Sequence, residues 1–390
     1  MNIILTANYS PWSAYSGGGQ RSTHNLAVAF AERGHEVTVV YTKPPWESVD
    51  VPDLPYRVVW ATLPALYSRR RAPLRGLSVL SVGRTVASLL DRTHGPTVVH
   101  AQGEEGALLP WICSSRDIPL VATPRYPTYP DALSNHPRSG TDWLRLILFH
   151  HKYLLLGPLV RRADRVCPTS KSAAAMVRAA YRLDEPCTTV IPNGITDTFL
   201  QLSPTYDPDG PLVFFGRLAP SKGVDVLVDA LAKMSAKGVN RRCLIVGRGP
   251  AESNVQQALR EYDLNDHVEL IGWQDPSSLA ELLKTAAVAV LPSREESFGN
   301  TMAESMAACV PVVSTRVGSI PEVVVHEETG LLVPPDDADA LVHAILRCLQ
   351  NPEEARTFAV EGHERARMRF TWDSSARRFE ELFRDLLSVR

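Results

Sequence analysis

The sequence predicts two successive α/β domains, each a parallel sheet covered by helices on both faces, and three observations carry this. At 390 residues the chain is long for one hydrophobic core and suits two. Short β-rich runs alternate with helix-length segments from end to end, the pattern of βαβ units. The alternation breaks once, at IPNGITDTFLQLSPTYDPDGP (191–211), where Pro, Gly, Asp and Asn accumulate without periodicity, as in a linker.

Taken in order, NIILTA (2–7) reads as a first buried strand, followed by a loop with Gly17, Gly18 and Gly19 that opens an amphipathic helix over 20–33. EVTVVY (36–41), TVVH (97–100), PLVAT (119–123) and RVCPT (165–169) are further strands, with helices at 76–92, 142–162 and 171–182. Beyond the linker the pattern restarts with LVFFG (212–216), CLIVG (243–247), HVELIG (267–272), VAVLP (288–292) and PVVST (311–315), separated by helical stretches. The last stretch, 372–390, is amphipathic and suits packing back on the first domain. The expected division is 1–192, 193–371 and a C-terminal helix at 372–390.

Composition excludes several classes. A net charge of −2 with 22% charged residues gives no general attraction for nucleic acid, and no basic stripe is interleaved with stacking aromatics. The six cysteines have no C-x-x-C spacing, so they are expected as buried thiols in a reducing compartment, without a disulfide frame or zinc site. MNIILTANYSPW lacks the basic region and apolar length of a secretion leader. No stretch reaches the roughly 18–20 apolar residues of a membrane span. The nearest, WLRLILFHHKYLLLGPLVRR (143–162), is interrupted by Arg145, His150, His151 and Lys152. A cytoplasmic protein is expected. YSRRRAPLRG (67–76) and 143–162 mix basic and apolar residues, which leaves peripheral membrane contact open beside the plainer reading of a solvated arginine cluster and a core helix.

In open parallel sheets, ligands gather beyond the carboxyl ends of the strands. The triple glycine after the first strand would let backbone amides approach a phosphate, although it is not G-x-G-x-x-G and an ordinary connector reads as well. Arg217 and Lys222, in FFGRLAPSKG, follow a strand and precede a helix. A planar fork beside a mobile point charge suits a diphosphate, against the alternative of two solvated cations. The third candidate is SREESFGNTMAES (293–305). Glu296 falls in the loop, and Glu304 on a helix expected to start near Asn300 as its cap. Amides from Phe298 to Thr301 would face an anion, and the two carboxylates could accept from sugar and ribose hydroxyls. Exposed acids are the alternative, but the apolar SMAACVPVVST beside Glu304 makes an idle carboxylate costly.

These residues resemble glycosyltransferase family 4, retaining enzymes of the GT-B fold: two Rossmann-like doubly wound domains facing a central cleft. The resemblance rests on GRLAPSKG, LIVGRGP, LPSREESFGNTMAESMAACVPVVSTRVGSIPEVV and TGLLVPPDD. GGGQRSTHNLAVAFAERGHEVTVV and the hinge IPNGI match in the first half, and the Glu296–Glu304 spacing is the family's E-x7-E signature. It implies a nucleotide-diphospho-sugar as co-substrate, held mainly by the second domain, with no cofactor and no metal. Arg217 and Lys222 would bind the diphosphate, Glu296 the sugar hydroxyls and Glu304 the ribose. The amides of Phe298, Gly299 and Asn300 would support sugar and phosphate, and Gly17 and Gly18 would let the first domain close over the diphosphate.

The sequence departs from the family in three places. Where relatives often carry His-x-His, it reads His100-Ala101-Gln102. Arg125, in VATPRYPTYPD, stands where a histidine is usual, which makes His100 and Arg125 acceptor-side candidates. Cys309 replaces a usual glycine. The implied activity is metal-independent, retaining transfer of a hexosyl group, with UDP- or GDP-sugars as the leading donors. The acceptor is a hydroxyl of a glycan, a lipid-linked or a small molecule, and attack comes from the front side. A non-catalytic nucleotide-sugar-binding subunit, or an epimerase or hydrolase with the same donor grip, are the alternatives.

Overall fold

The computed structural model describes residues 1–13, 17–62, 77–124, 151–202 and 206–390. The chain divides into two compact units, one formed by Met1–Gly194 with Trp372–Arg390, the other by Ile195–Thr371.

The first unit is built on six parallel strands, β1 (Asn2–Ala7), β2 (Glu36–Lys43), β3 (Arg57–Thr62), β4 (Thr97–Ala101), β5 (Leu120–Ala122) and β6 (Arg165–Val166), in the order β3-β2-β1-β4-β5-β6. The two-residue period of β1 splits its side chains between two cores. Ile3 and Leu5 join Leu26 and Phe30 of the helix Gly18–Glu32, while Ile4 joins Val82 and Val86 of the helix Leu77–Leu90.

The helix Trp372–Ser388 completes the first of these cores. Phe379 and Phe383 lie 6.2 and 5.7 Å from the Phe30 ring. Beside them, Glu380 is only 2% exposed and accepts from Arg33 Nε at 2.5 Å and Nη2 at 3.1 Å, with His35 Nε2 at 2.8 Å. Burial alone would raise this carboxyl; the Arg33 and His35 contacts outweigh it and hold Glu380 below its ordinary value.

The second unit repeats the plan with β7 (Leu212–Phe215), β8 (Cys243–Val246), β9 (Val268–Ile271), β10 (Val288–Leu291), β11 (Val312–Thr315) and β12 (Gly330–Val333), all parallel, in the order β12-β11-β10-β7-β8-β9. Two strands, β3 and β12, are additions to the sequence reading, and both are edge strands. The segment read as a linker is only partly one. Ile195 bridges Thr371, Asp197–Leu200 forms a helical turn, and Phe199 is buried in the second unit's core. Five cysteines are buried, but Cys187 is exposed, on the short turn Glu185–Cys187, none of whose residues is buried.

Candidate functional site

The second unit gathers its predicted residues where β7 and β10 end. These strands are neighbours in the sheet, so the segments that follow them, 216–223 and 292–299, emerge side by side. Gly223 sets how closely they approach, and Gly318, in the turn after β11, sets how closely that turn approaches Glu296. Gly223 has φ 63°, and a Cβ there would stand 1.9 Å from the Pro292 carbonyl oxygen. Gly318 has φ 52°, and its Cβ would meet the Glu296 carbonyl oxygen at 2.2 Å. Any larger residue at either position would have to push the backbones apart.

Within this cradle the Lys222 Nζ donates to Glu296 Oε1 in a close ion pair. The Glu296 side chain is 10% exposed and that of Lys222 27%, so the pair is shielded from water but open on one side. The Glu296 main chain is fixed as well, its carbonyl accepting from the Ser319 amide and hydroxyl, both at 3.2 Å. Arg217 lies on the segment after β7, exposed, with no hydrogen bond or ion pair to the described residues.

The helix that follows spans Asn300–Ala307 and is capped by Gly299, so Asn300 is its first residue and not the cap expected of it. A left-handed backbone at Gly299, φ 97°, turns the chain into the helix without a side-chain cap. Phe298 is packed into the core: the residue is 4% exposed and its ring meets Phe370 edge-on at 5.5 Å, which leaves its main chain as the part free for recognition. Glu304 is half-buried on the same helix. Cys309 adopts φ 59°, a conformation that favours glycine and costs a side-chain residue about 1 kcal/mol.

One residue of SREES escaped the sequence reading. Arg294 spans both segments, with Nε to Asp336 at 2.6 Å, Nη1 to the Pro220 carbonyl at 2.6 Å, and a two-pronged contact to Asp225 at 2.8 and 2.7 Å. Burial would raise the Asp225 carboxyl, and Arg294 more than offsets it, leaving Asp225 below its ordinary value.

In the first unit, Gly17 caps the helix Gly18–Glu32 and its amide donates to Gln20 Oε1 at 3.0 Å. Both Gly17 and Gly18 are exposed. His100, expected on the acceptor side, lies in the core at 0% exposure. Its Nε2 is 2.8 Å from Thr123 Oγ1 and 3.1 Å from Gln102 Nε2, and its ring is 4.7 Å from Phe379. In this conformation His100 presents packing and internal hydrogen bonds, not an open ring nitrogen. Arg125 and the basic stretch 67–76 lie outside the described residues, as does 143–150. Buried beside β4, Glu105 accepts from Thr6 Oγ1 at 3.1 Å; burial pushes its carboxyl up to about 8, and Glu104 adds to the rise. Nothing in EEG distinguished Glu105 from its exposed-looking neighbour, since burial is set by the turn that follows β4.

Two family patterns match the chain. The one described as Glycosyltransferase Family 4 matches residues 16–199, and the one described as Glycosyl transferases group 1 matches residues 201–365. The chain belongs to glycosyltransferase family 4.

This glycosyltransferase is 26% identical over 395 residues to a glycogen synthase of Mycobacterium tuberculosis, a match covering 96% of this chain and 92% of that protein. It is 25% identical to a D-inositol 3-phosphate glycosyltransferase of Segniliparus rotundus, with 96% and 86% covered. Among solved structures, a sucrose-phosphate synthase from Thermosynechococcus elongatus superposes with a TM-score of 0.80 at 26% identity, covering 100% of both chains, so the fold is GT-B. Anabaena HepE, in complex with UDP and glucose, shares the fold at a TM-score of 0.74 and 19% identity, over 99% of this chain and 100% of that one. Among the glycosyltransferase's described residues, no helix is long and apolar enough to cross a membrane, and no three His, Cys, Asp or Glu side chains group to hold a metal.

Proposed function

We propose that the chain moves a sugar from a nucleotide-diphospho-sugar to an acceptor hydroxyl with retention at the anomeric carbon, and that the second unit is the donor grip. The observation that carries this reading is the Lys222–Glu296 pair, which joins the segments after two neighbouring strands, with the unpaired Arg217 on the Lys222 segment.

In the reaction the bond from the anomeric carbon to the β-phosphate oxygen breaks, and its electron pair stays on that oxygen. The acceptor oxygen bonds the same carbon on the same face, and its proton passes to the departing phosphate. The diphosphate thereby gains a negative charge, and cations fixed beforehand beside it stabilise that charge more in the transition state than in the bound donor. Arg217 and Lys222 serve there, and we write the step without a metal because they supply the positive charge. A bound phosphate competes with Glu296 for the Lys222 ammonium, which frees a Glu296 oxygen to accept from a sugar hydroxyl. Glu304 is assigned the ribose hydroxyls, and the amides of Phe298, Gly299 and Asn300 the sugar and phosphate oxygens. The HepE complex makes a UDP-sugar the first donor to try.

The test is a donor panel. Purified protein without added metal is mixed in turn with UDP-, GDP-, ADP- and dTDP-sugars and followed for nucleotide release and thermal stabilisation. One donor that both stabilises the protein and loses its nucleotide supports the reading. Neither effect with any donor overturns it.

A further inference from the structure

We propose that Arg294 is a positioning residue for transfer: it sets where Lys222 stands by locking the Pro220–Lys222 turn to the segment that carries Glu296. The inference rests on the donor-site reading above and adds to it a residue that touches neither donor nor acceptor.

Geometry separates this role from ligand binding. Arginine has five N–H groups, and four of those of Arg294 are already engaged, by Asp336, Asp225 twice and the Pro220 carbonyl. A guanidinium so occupied has little left for a phosphate. The main chain repeats the connection, since the Arg294 amide donates to the Ser221 carbonyl at 2.8 Å. The turn itself is slight, a single 3-10 turn with the Lys222 amide on the Ala219 carbonyl at 2.9 Å and the Gly223 amide on the Pro220 carbonyl at 3.2 Å. Such a turn has no core of its own and is held from outside. Asp225 is in the first turn of the next helix, Val224–Ala236, so the Arg294 fork grips the turn at its start, through Pro220, and just past its end. The two carboxylates also offset the charge of Arg294, which makes it a poorer phosphate partner than the exposed Arg217.

The experiment compares Arg294→Met in two backgrounds, wild type and Lys222→Ala, with hydrogen exchange of the peptide covering 217–224 alongside. In the wild-type background the amides of that peptide are expected to exchange several-fold faster. The kcat for nucleotide release should fall by about ten- to a hundredfold, the scale of a misplaced catalytic group, with KM moving less. In the Lys222→Ala background the same substitution should change kcat by less than about twofold, because the group it positions is gone. A general weakening of the unit would slow both backgrounds alike, and that result overturns the proposal. Unchanged exchange of 217–224 overturns it too. Should the wild-type protein release no nucleotide from any donor, the donor reading fails and the exchange measurement alone decides whether Arg294 holds the turn.

Discussion

Replacing Lys222 with alanine tests the assigned chemistry most directly. If the departing phosphate gains about one unit of charge at ~4 Å from the ammonium, an effective dielectric of about 20 gives roughly 4 kcal/mol of attraction. The Lys222 side chain is 27% exposed and Arg217 stands on the same segment, so part of this is screened or shared. About 2–4 kcal/mol of transition-state stabilisation should then be lost, a fall in kcat of roughly 30- to 1,000-fold. The fold should survive. Lys222 is partly exposed, but its loss leaves the largely buried Glu296 without its cation, so a cost of about 1–3 kcal/mol and a drop of several degrees in melting temperature are expected, well short of unfolding. The assay is steady-state nucleotide release with the active donor, next to a melting curve of the same preparation. A kcat within threefold of wild type, with the fold intact, would refute the argument that Lys222 meets the leaving charge.

The remaining predictions concern stability and geometry. Glu105 has a folded value of about 8 against an ordinary 4.5, so its contribution is full below 4.5 and is lost as pH rises through 8. Glu105→Gln should therefore raise the stability of the first unit by about 1–3 kcal/mol at pH 7 and by almost nothing at pH 4.5, read as a shift in the urea midpoint; an equal gain at both values would count against a buried neutral acid. For Glu380 the sign is opposite. Its folded value lies below 4.5, so its stabilisation is present above 4.5 and disappears as pH falls through the lower, folded value. Glu380→Ala should cost about 3 kcal/mol at pH 7 and progressively less in acid, measured by the same denaturation. Gly223→Ala, whose Cβ would sit 1.9 Å from the Pro292 oxygen, should lower both turnover and melting temperature, and normal values for both would mean the two segments are not in register as described.

How far the sequence announces this molecule depends on what fixes each part. Strands buried on both faces, such as β1 and β10, carry unbroken apolar stretches and are legible at once. The edge strand β3 is as apolar as β1 but only Ala61 in it is buried, and β12 is four residues that begin on Gly330 and run straight into two prolines, a short signal among turn residues. At the site, the motifs reveal which residues matter but not which way their side chains turn. Phe298 and His100 show the difference: both stand in motif positions, yet both rings are packed in cores set by residues far along the chain, Phe370 and Phe379. Arg294 was invisible for the reciprocal reason. Its partners Asp225 and Asp336 lie 69 and 42 positions away, and only the fold brings three separate loops to one guanidinium.

The helix Trp372–Ser388 has a consequence for how the chain is made. Its Phe379 and Phe383 fill the core that Phe30 and Leu5 begin, so the first unit stays incomplete while the whole of the second is being synthesised. The second unit, by contrast, is continuous from Ile195 to Thr371 and has all its strands as soon as that stretch leaves the ribosome. The last stretch to be made is thus the one that closes the first core. A chain cut after residue 371 would keep every strand of the second unit and leave the Phe30 face of the first uncovered.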